Sequence, residues 1–327
     1  MEKRKTEDRF APLYIIIAGA LWGSMGLFVR PLGDNGCNSF EITQLRGLVT
    51  AAFLFLFLAV KDRSLLRIRL RDLWCFIGTG VFSIVFFNVC YFTTIELTSL
   101  SVAAVLLYTA PAFVIVLSAI LFGEEITKRK VIALVLTFAG CVCVSGLLRG
   151  GASMTVKGFF IGIGAGIGYA LYSIFSRFAL ERGYSSLTIS FYTFLLAVIG
   201  TIPFSSMRNV LNVITKTPSL TAFIAVFGIV TTVLPYLLYT RGLLGVENGQ
   251  ASILASVEPV VATILGTIVF HEILHADEIC GIILILGAIL ISNRTGEKLR
   301  TDQETGGENP AEPARKTGPE SVRNTGI

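Results

Sequence analysis

Two groups of residues in this chain have the types and spacing to do chemistry. The first is His271-Glu272-Ile273-Leu274-His275, an H-E-x-x-H string. On a helix that spacing places two imidazoles on one face, where they hold zinc beside a glutamate base, as in metalloproteases. The second is a sparse set of polar groups inside apolar stretches: Arg46, Asn88 and Glu258, with Trp22, Tyr108 and Tyr172. Ionisable groups in such stretches mark binding sites and ion paths. The surrounding elements decide which group carries the function.

Hydrophobic residues make up 53% of the 327 residues and charged residues only 15%, with a mean hydropathy of +0.74. A soluble domain carries about 25% charged residues. A chain so poor in charge, with 24 Phe, cannot cover a surface with polar groups, so it reads as an integral membrane protein. Its net charge of +5 then says nothing of nucleic acid, and no nucleic-acid partner is expected. Of the six cysteines, all but Cys37 lie in apolar runs, which argues against a secreted disulfide framework and for small apolar packing residues.

About 20 apolar residues cross a bilayer. Ten stretches qualify, near 12–31, 42–60, 73–94, 100–122, 131–148, 158–178, 187–204, 220–240, 250–270 and 278–293. The first resembles a signal peptide but is too long for one and reads as a retained span. Residues 1–11 and 294–327 are polar tails, the second expected to be disordered, and 149–157 is a linker. Lys61, Arg63, Arg67, Arg69 and Arg71 crowd the loop after span two, and Lys128, Arg129 and Lys130 follow span four. The loops between carry neither Lys nor Arg, so the positive-inside bias predicts that both termini are cytoplasmic and that the loop holding HEILH faces outside.

The chain also repeats itself. A shift of 148 positions aligns Tyr91 with Tyr239, Pro111 with Pro259, Phe122 with Phe270 and Glu124 with Glu272; a shift of 147 aligns Arg30 with Arg177. Each half, 12–148 and 158–293, holds five spans. Five is odd, so the second half enters the membrane from the opposite side, giving an inverted repeat of the kind found in alternating-access transporters. The repeat explains Glu272 as the partner of Glu124, whose context "GEEIT" has no histidine. His271 and His275 are the only histidines in the chain, so HEILH reads as a chance string and no metal or cofactor is expected. Both glutamates are expected to accept backbone N–H groups where the next helix starts.

"LLYTAPAFVIVLSAILFGEEIT" and "LASVEPVVATILGTIVFHEIL" resemble the fourth and ninth helices of the EamA-type transporters, in the drug/metabolite transporter superfamily. Each has a Pro, a long aliphatic stretch and a Glu thirteen residues after the Pro. "GALWGSMGLFVR" is similar to the family's first-helix Trp-Gly segment, and Glu258-Pro259 is typical of its second repeat. The resemblance covers residues 12 to 293. It implies an all-α membrane protein of ten helices, with spans one to four and six to nine around a central cavity and spans five and ten at the periphery. It further implies a secondary transporter, often an exporter, of small metabolites, amino acids or drugs. The family pattern has Gly before the loop Glu; Phe122-Gly123-Glu124 keeps it and Phe270-His271-Glu272 departs from it.

Against that frame Glu258 is a candidate proton-coupling carboxylate or ligand for a substrate amine, the alternative being a helix-packing carboxyl. Arg46 either snorkels to the outer interface or serves as a cavity cation. Pro111 and Pro259 each remove an intrahelical hydrogen bond, and paired breaks point to a midplane site. Trp22, Asn88, Tyr108 and Tyr172 are the first choices for the lining, within a wider set that adds Tyr91, Tyr169, Tyr192, Tyr236 and Tyr239. Tyr91, Tyr236 and Tyr239 also suit an interface belt. "GIGAGIG" at 162–168 lies within a span, where close helix packing explains it better than nucleotide binding. The expected partners are a small-molecule substrate and the lipid bilayer of the cell membrane, with protons a candidate coupling ion and a homodimer a candidate assembly. An intramembrane zinc protease is the competing reading.

Overall fold

The computed structural model describes residues 9–149 and 155–305. Every regular element among them is helical. Ten helices form the body: α1 (Ala11–Asp34), α2 (Ser39–Lys61), α3 (Leu70–Leu97), α4 (Leu100–Phe122), α5 (Lys128–Val144), α6 (Val156–Glu181), α7 (Ser186–Phe204), α8 (Pro218–Gly242), α9 (Asn248–Phe270) and α10 (Ala276–Thr305). Nine of them are long and apolar enough to cross a bilayer. The tenth, α5, has 17 residues and rises about 25 Å. A short helix, Met207–Thr215, lies between α7 and α8.

One boundary differs from expectation. α10 runs on to Thr305, so the tail expected to be disordered from 294 is helical over its first part. The run Glu297-Lys298-Leu299-Arg300 consists of good helix formers, which lets an existing helix propagate into a polar segment. Residues 306–327, 1–8 of the N-terminal tail and 150–154 of the linker lie outside the described residues.

Helix starts follow from short polar side chains. Ser99, Thr127, Thr155, Ser185 and Thr217 each accept a first-turn N–H. At α2, Asn38 accepts from Glu41 N at 2.9 Å while Glu41 accepts from Asn38 N at 2.9 Å, a reciprocal capping box.

The two halves repeat in their irregularities as well as their helices. α4 is divided into Leu100–Leu107 and Ala110–Phe122, and α9 into Asn248–Ala255 and Val257–Phe270. The breaks fall 148 positions apart, each just before its proline. α3 carries a π-helical stretch at Gly78–Val85 and α8 one at Ile229–Val233, with their ends again 148 apart. α1 is broken at Ser24 and Met25, whereas α6 is continuous.

Packing follows the same two-fold logic. α1 packs on α8 and α9 as α6 packs on α3 and α4, while α2 pairs with α7, α4 with α9 and α5 with α10. Small residues allow these approaches. A Cβ on Gly140 of α5 would come within 2.7 Å of Ile285 in α10, and one on Gly80 of α3 within 2.7 Å of the Thr193 carbonyl in α7. The GIGAGIG run of α6 works likewise: side-chain atoms there would press on Leu106, Cys90, Thr109 and Phe87.

Candidate functional site

Between the halves lies a cavity of about 200 Å³, lined from α1, α2, α3, α4, α6, α8 and α9. α5 and α10 are off to one side. α7 contributes no lining residue; its Phe194 stands behind the wall, edge-on to Tyr236 at 4.7 Å.

The wall is aromatic. Trp22 meets Tyr236 at 5.2 Å and Tyr239 at 5.4 Å between ring centres, and Tyr172 meets Tyr236 edge-on at 4.9 Å. Two hydroxyl pairs, Tyr172 with Thr240 at 2.9 Å and Ser173 with Tyr239 at 2.7 Å, fix those rings in place. Such rings offer apolar faces and polar tips to a ligand of mixed character. Asn88 is held by its amide, which donates to the Ile84 carbonyl at 2.6 Å, while its oxygen accepts from Thr43 Oγ1 at 3.2 Å.

The charges are placed with unused capacity. Arg46 is only 5% exposed, so it is a wall residue and does not snorkel to the interface. Its Nη1 reaches Met25 Sδ at 3.5 Å, and its Nε has no hydrogen-bond partner among the described residues. Trp22 Nε1 is unpartnered in the same way. Glu258 is half-buried and accepts one hydrogen bond, from Tyr169 Oη at 3.2 Å. The ion pairs among the described residues lie at the two ends of the bundle and none joins Arg46 to Glu258. Buried donors without partners are costly in an apolar site. This cavity therefore has a cation and a carboxyl in its wall, with the Trp22 ring beside them and the Trp22 N–H itself buried.

Of the residues expected from sequence, Trp22, Arg46, Asn88, Tyr172 and Glu258 line this cavity. Tyr108 instead lines a neighbouring cleft of about 340 Å³, with Tyr91, Leu100, Ser101, Pro259 and Glu272. Pro111 is buried and lines neither hollow; with Pro259 it marks the second segment of a divided helix. Tyr236 and Tyr239, which sequence also suits to an interface belt, are in the cavity wall. Tyr169, the partner of Glu258, joins them there. Heptad-like periodicity is lost at divided and π-helical turns, so facing could not be read along the chain.

The cavity wall runs from Glu258 and Tyr239 in the middle to Ser39 and Phe92 near one end of the bundle, the end that holds His271. The other end holds a charge cluster around the buried Lys130. Lys130 is 3% exposed and sits 2.6 Å from Glu247 and 3.9 Å from Glu124.

The HEILH string is not a helical zinc site. Residues 271–275 form the loop between α9 and α10, so the spacing does not bring the histidines to one helical face. His271 is the left-handed cap of α9 (φ 55°), the place Gly123 (φ 68°) holds at the end of α4. The expectation for the two glutamates needs correction. Glu124 does accept backbone N–H groups, from Asn248 at 2.7 Å and Gly249 at 3.1 Å, but these begin α9 in the other half, not the next helix. Glu272 caps no helix; it pairs with Arg30 at 2.6 Å, and Glu278 accepts from His275 N at the start of α10. The two-fold packing, which sets α4 against α9, puts the nearest free helix start across the repeat interface.

A ten-helix bundle whose two related halves turn polar groups into a shared hollow defines a membrane transporter. The EamA-like transporter family matches residues 9–146 and 156–294, and the chain belongs to that family. It is 31% identical over 287 residues to a protein of Archaeoglobus fulgidus named an uncharacterized transporter, covering 88% of this chain and 97% of that one. It is also 28% identical over 312 residues to the Bacillus subtilis uncharacterized transporter YxxF, covering 90% and 94%. A solved crystal structure superposes with a TM-score of 0.73 at 19% identity, over 89% of this chain and 99% of the other; that likeness speaks to the fold.

Proposed function

We propose that this chain is a secondary transporter that moves a small metabolite bearing both an anionic and a cationic group, such as an amino acid or a drug-like zwitterion, across the cell membrane. The observation that carries the reading is the pair Arg46 and Glu258, both on one cavity wall, unpaired with each other, within a ring of Trp22, Tyr172, Tyr236 and Tyr239. Arg46 suits a carboxylate, Glu258 an amine, and the rings the body of the ligand. The positive charges of the α2–α3 and α4–α5 loops support a cytoplasmic Lys130 end and cytoplasmic termini. The cavity then faces outside, one of two states in an alternating-access cycle, with export as its net direction.

Glu258 is the candidate proton carrier. Purified protein in proteoliposomes is expected to move amino-acid substrates in response to an imposed pH gradient, and Glu258→Gln is expected to remove that response. A Gln variant that still responds to the gradient overturns the coupling role. The enzyme reading gains no support, because its one motif lies in a loop.

A further inference from the structure

The two ends of the bundle hold equivalent residues in different arrangements. At the Lys130 end, Glu124 accepts from the first N–H groups of α9 at Asn248 and Gly249, and Arg177 donates to the Leu243 carbonyl just past the end of α8. The two side chains together hold both arms of the α8–α9 hairpin. The repeat maps these groups to Glu272 and Arg30, and the hairpin groups to Leu100 and Ser101 N–H and the Ile95 carbonyl. At the His271 end those contacts are absent. Arg30 and Glu272 pair with each other at 2.6 Å, with the Arg30 guanidinium 3.9 Å above the Phe270 ring. Glu272, Leu100 and Ser101 all line the 340 Å³ cleft, so the carboxylate and the helix start stand on its walls.

We propose that Arg30 and Glu272 are the gate residues of the His271 end. When that end closes, Glu272 leaves Arg30 and accepts from Leu100 and Ser101 N–H, and Arg30 turns to the end of α3. The contacts at Glu124 and Arg177 open in exchange. The first N–H groups of α4 have no intrahelical partner, so they are free to receive the carboxylate. Glu124 and its two bonds at α9 are the closed form of the same device, already formed in this molecule. The inference rests on the alternating-access reading given above.

The test uses two reporters 148 positions apart, Ala104→Cys beside the open cleft and Ser252→Cys at its closed counterpart. Full-length protein in nanodiscs is treated with a water-soluble maleimide, and labelling at each site is read by mass spectrometry. Wild-type protein is expected to label Cys at 104 faster than at 252. Loss of one charged cap is expected to move the 104:252 ratio on the order of ten-fold. Glu124→Ala lowers the ratio, Glu272→Ala raises it, and the double variant lies near wild type. Glu272→Gln, which keeps an acceptor, stays near wild type and guards against misfolding. If the reporters move in opposite directions in Glu124→Ala but Glu272→Ala leaves the ratio unchanged or lowers it, the gate assignment is overturned while alternating access stands. If the two sites rise and fall together in every variant, alternating access fails and takes the gate with it.

Discussion

His271 stands 148 positions after Gly123 and adopts the same left-handed backbone, φ 55° against 68°, at the end of the equivalent helix. In both copies the next residue, Glu124 or Glu272, donates its N–H to a carbonyl six positions back, at Ser118 or Gly266, with the same 3.3 Å distance. A side chain in that region is strained, and glycine is not. His271→Gly is therefore expected to stabilise the protein by about 1 kcal/mol, seen as a melting temperature raised by roughly 2 °C in detergent. An unchanged or lower melting temperature would mean that the imidazole contributes something the backbone argument omits.

The two ends of the bundle should differ sharply in the cost of losing a cation. Lys130 is buried against Glu247 and Glu124 and also donates to the Glu125 carbonyl at 2.7 Å. Lys130→Ala leaves the buried Glu124 and the partly exposed Glu247 without their cation and is expected to cost about 3 kcal/mol. Arg30→Ala removes a pair whose side chains are each 52% exposed and is expected to cost less than about 1 kcal/mol. Thermal unfolding of the two variants side by side checks this, and equal losses would contradict it.

A pH-dependent contribution is expected at Tyr184, in the loop between α6 and α7. Its hydroxyl donates to Asp72 at 2.8 Å and accepts from Arg69 N at 3.1 Å, while Arg182 also reaches Asp72 at 3.2 Å. Burial, with a smaller part from Asp72, raises the Tyr184 phenol above its ordinary value. A raised folded value means that this contribution is fully present below the unfolded pKa near 10 and is lost as pH climbs through the folded one. Tyr184→Phe removes two hydrogen bonds, at about 1 kcal/mol each near neutrality. The gap between variant and wild type should close on the alkaline side, which melting curves from pH 8 to 11 would record.

Arg46 is the residue whose loss should speak most directly to the ligand. Arg46→Met is expected to weaken transport of a carboxylate-bearing substrate by roughly ten- to a hundred-fold, mainly through KM, with Arg46→Lys partly restoring it. Transport that keeps its KM in the Met variant would place the substrate anion elsewhere.

Much of this architecture is legible in the sequence because the membrane restricts it. Apolar stretches mark nearly every span, and the Pro111/Pro259 and Glu124/Glu272 pairs mark the repeat. What was hidden is contact across the repeat interface. No local signal tells that Glu124 reaches Asn248 and Gly249, since the contact joins residues more than a hundred positions apart. Tyr236 and Tyr239 suit an interface belt equally well, because the π-helical stretch just before them shifts which faces turn inward. The far end of α10 is not legible from polarity alone, because its polar residues are also good helix formers.

Those π-helical stretches have a further consequence. A wide turn holds one residue more than the α ladder needs, so everything after it is rotated by about 100°. In α3 the rotated part carries Phe87, Asn88 and Phe92, and in α8 it carries Tyr236 and Tyr239, all cavity residues. Removing or relocating one such residue would turn a whole row of side chains around the helix without changing the identity of any. A single-codon deletion, ordinarily ruinous inside a membrane helix, thus becomes a route by which one scaffold can acquire a new ligand repertoire in one step.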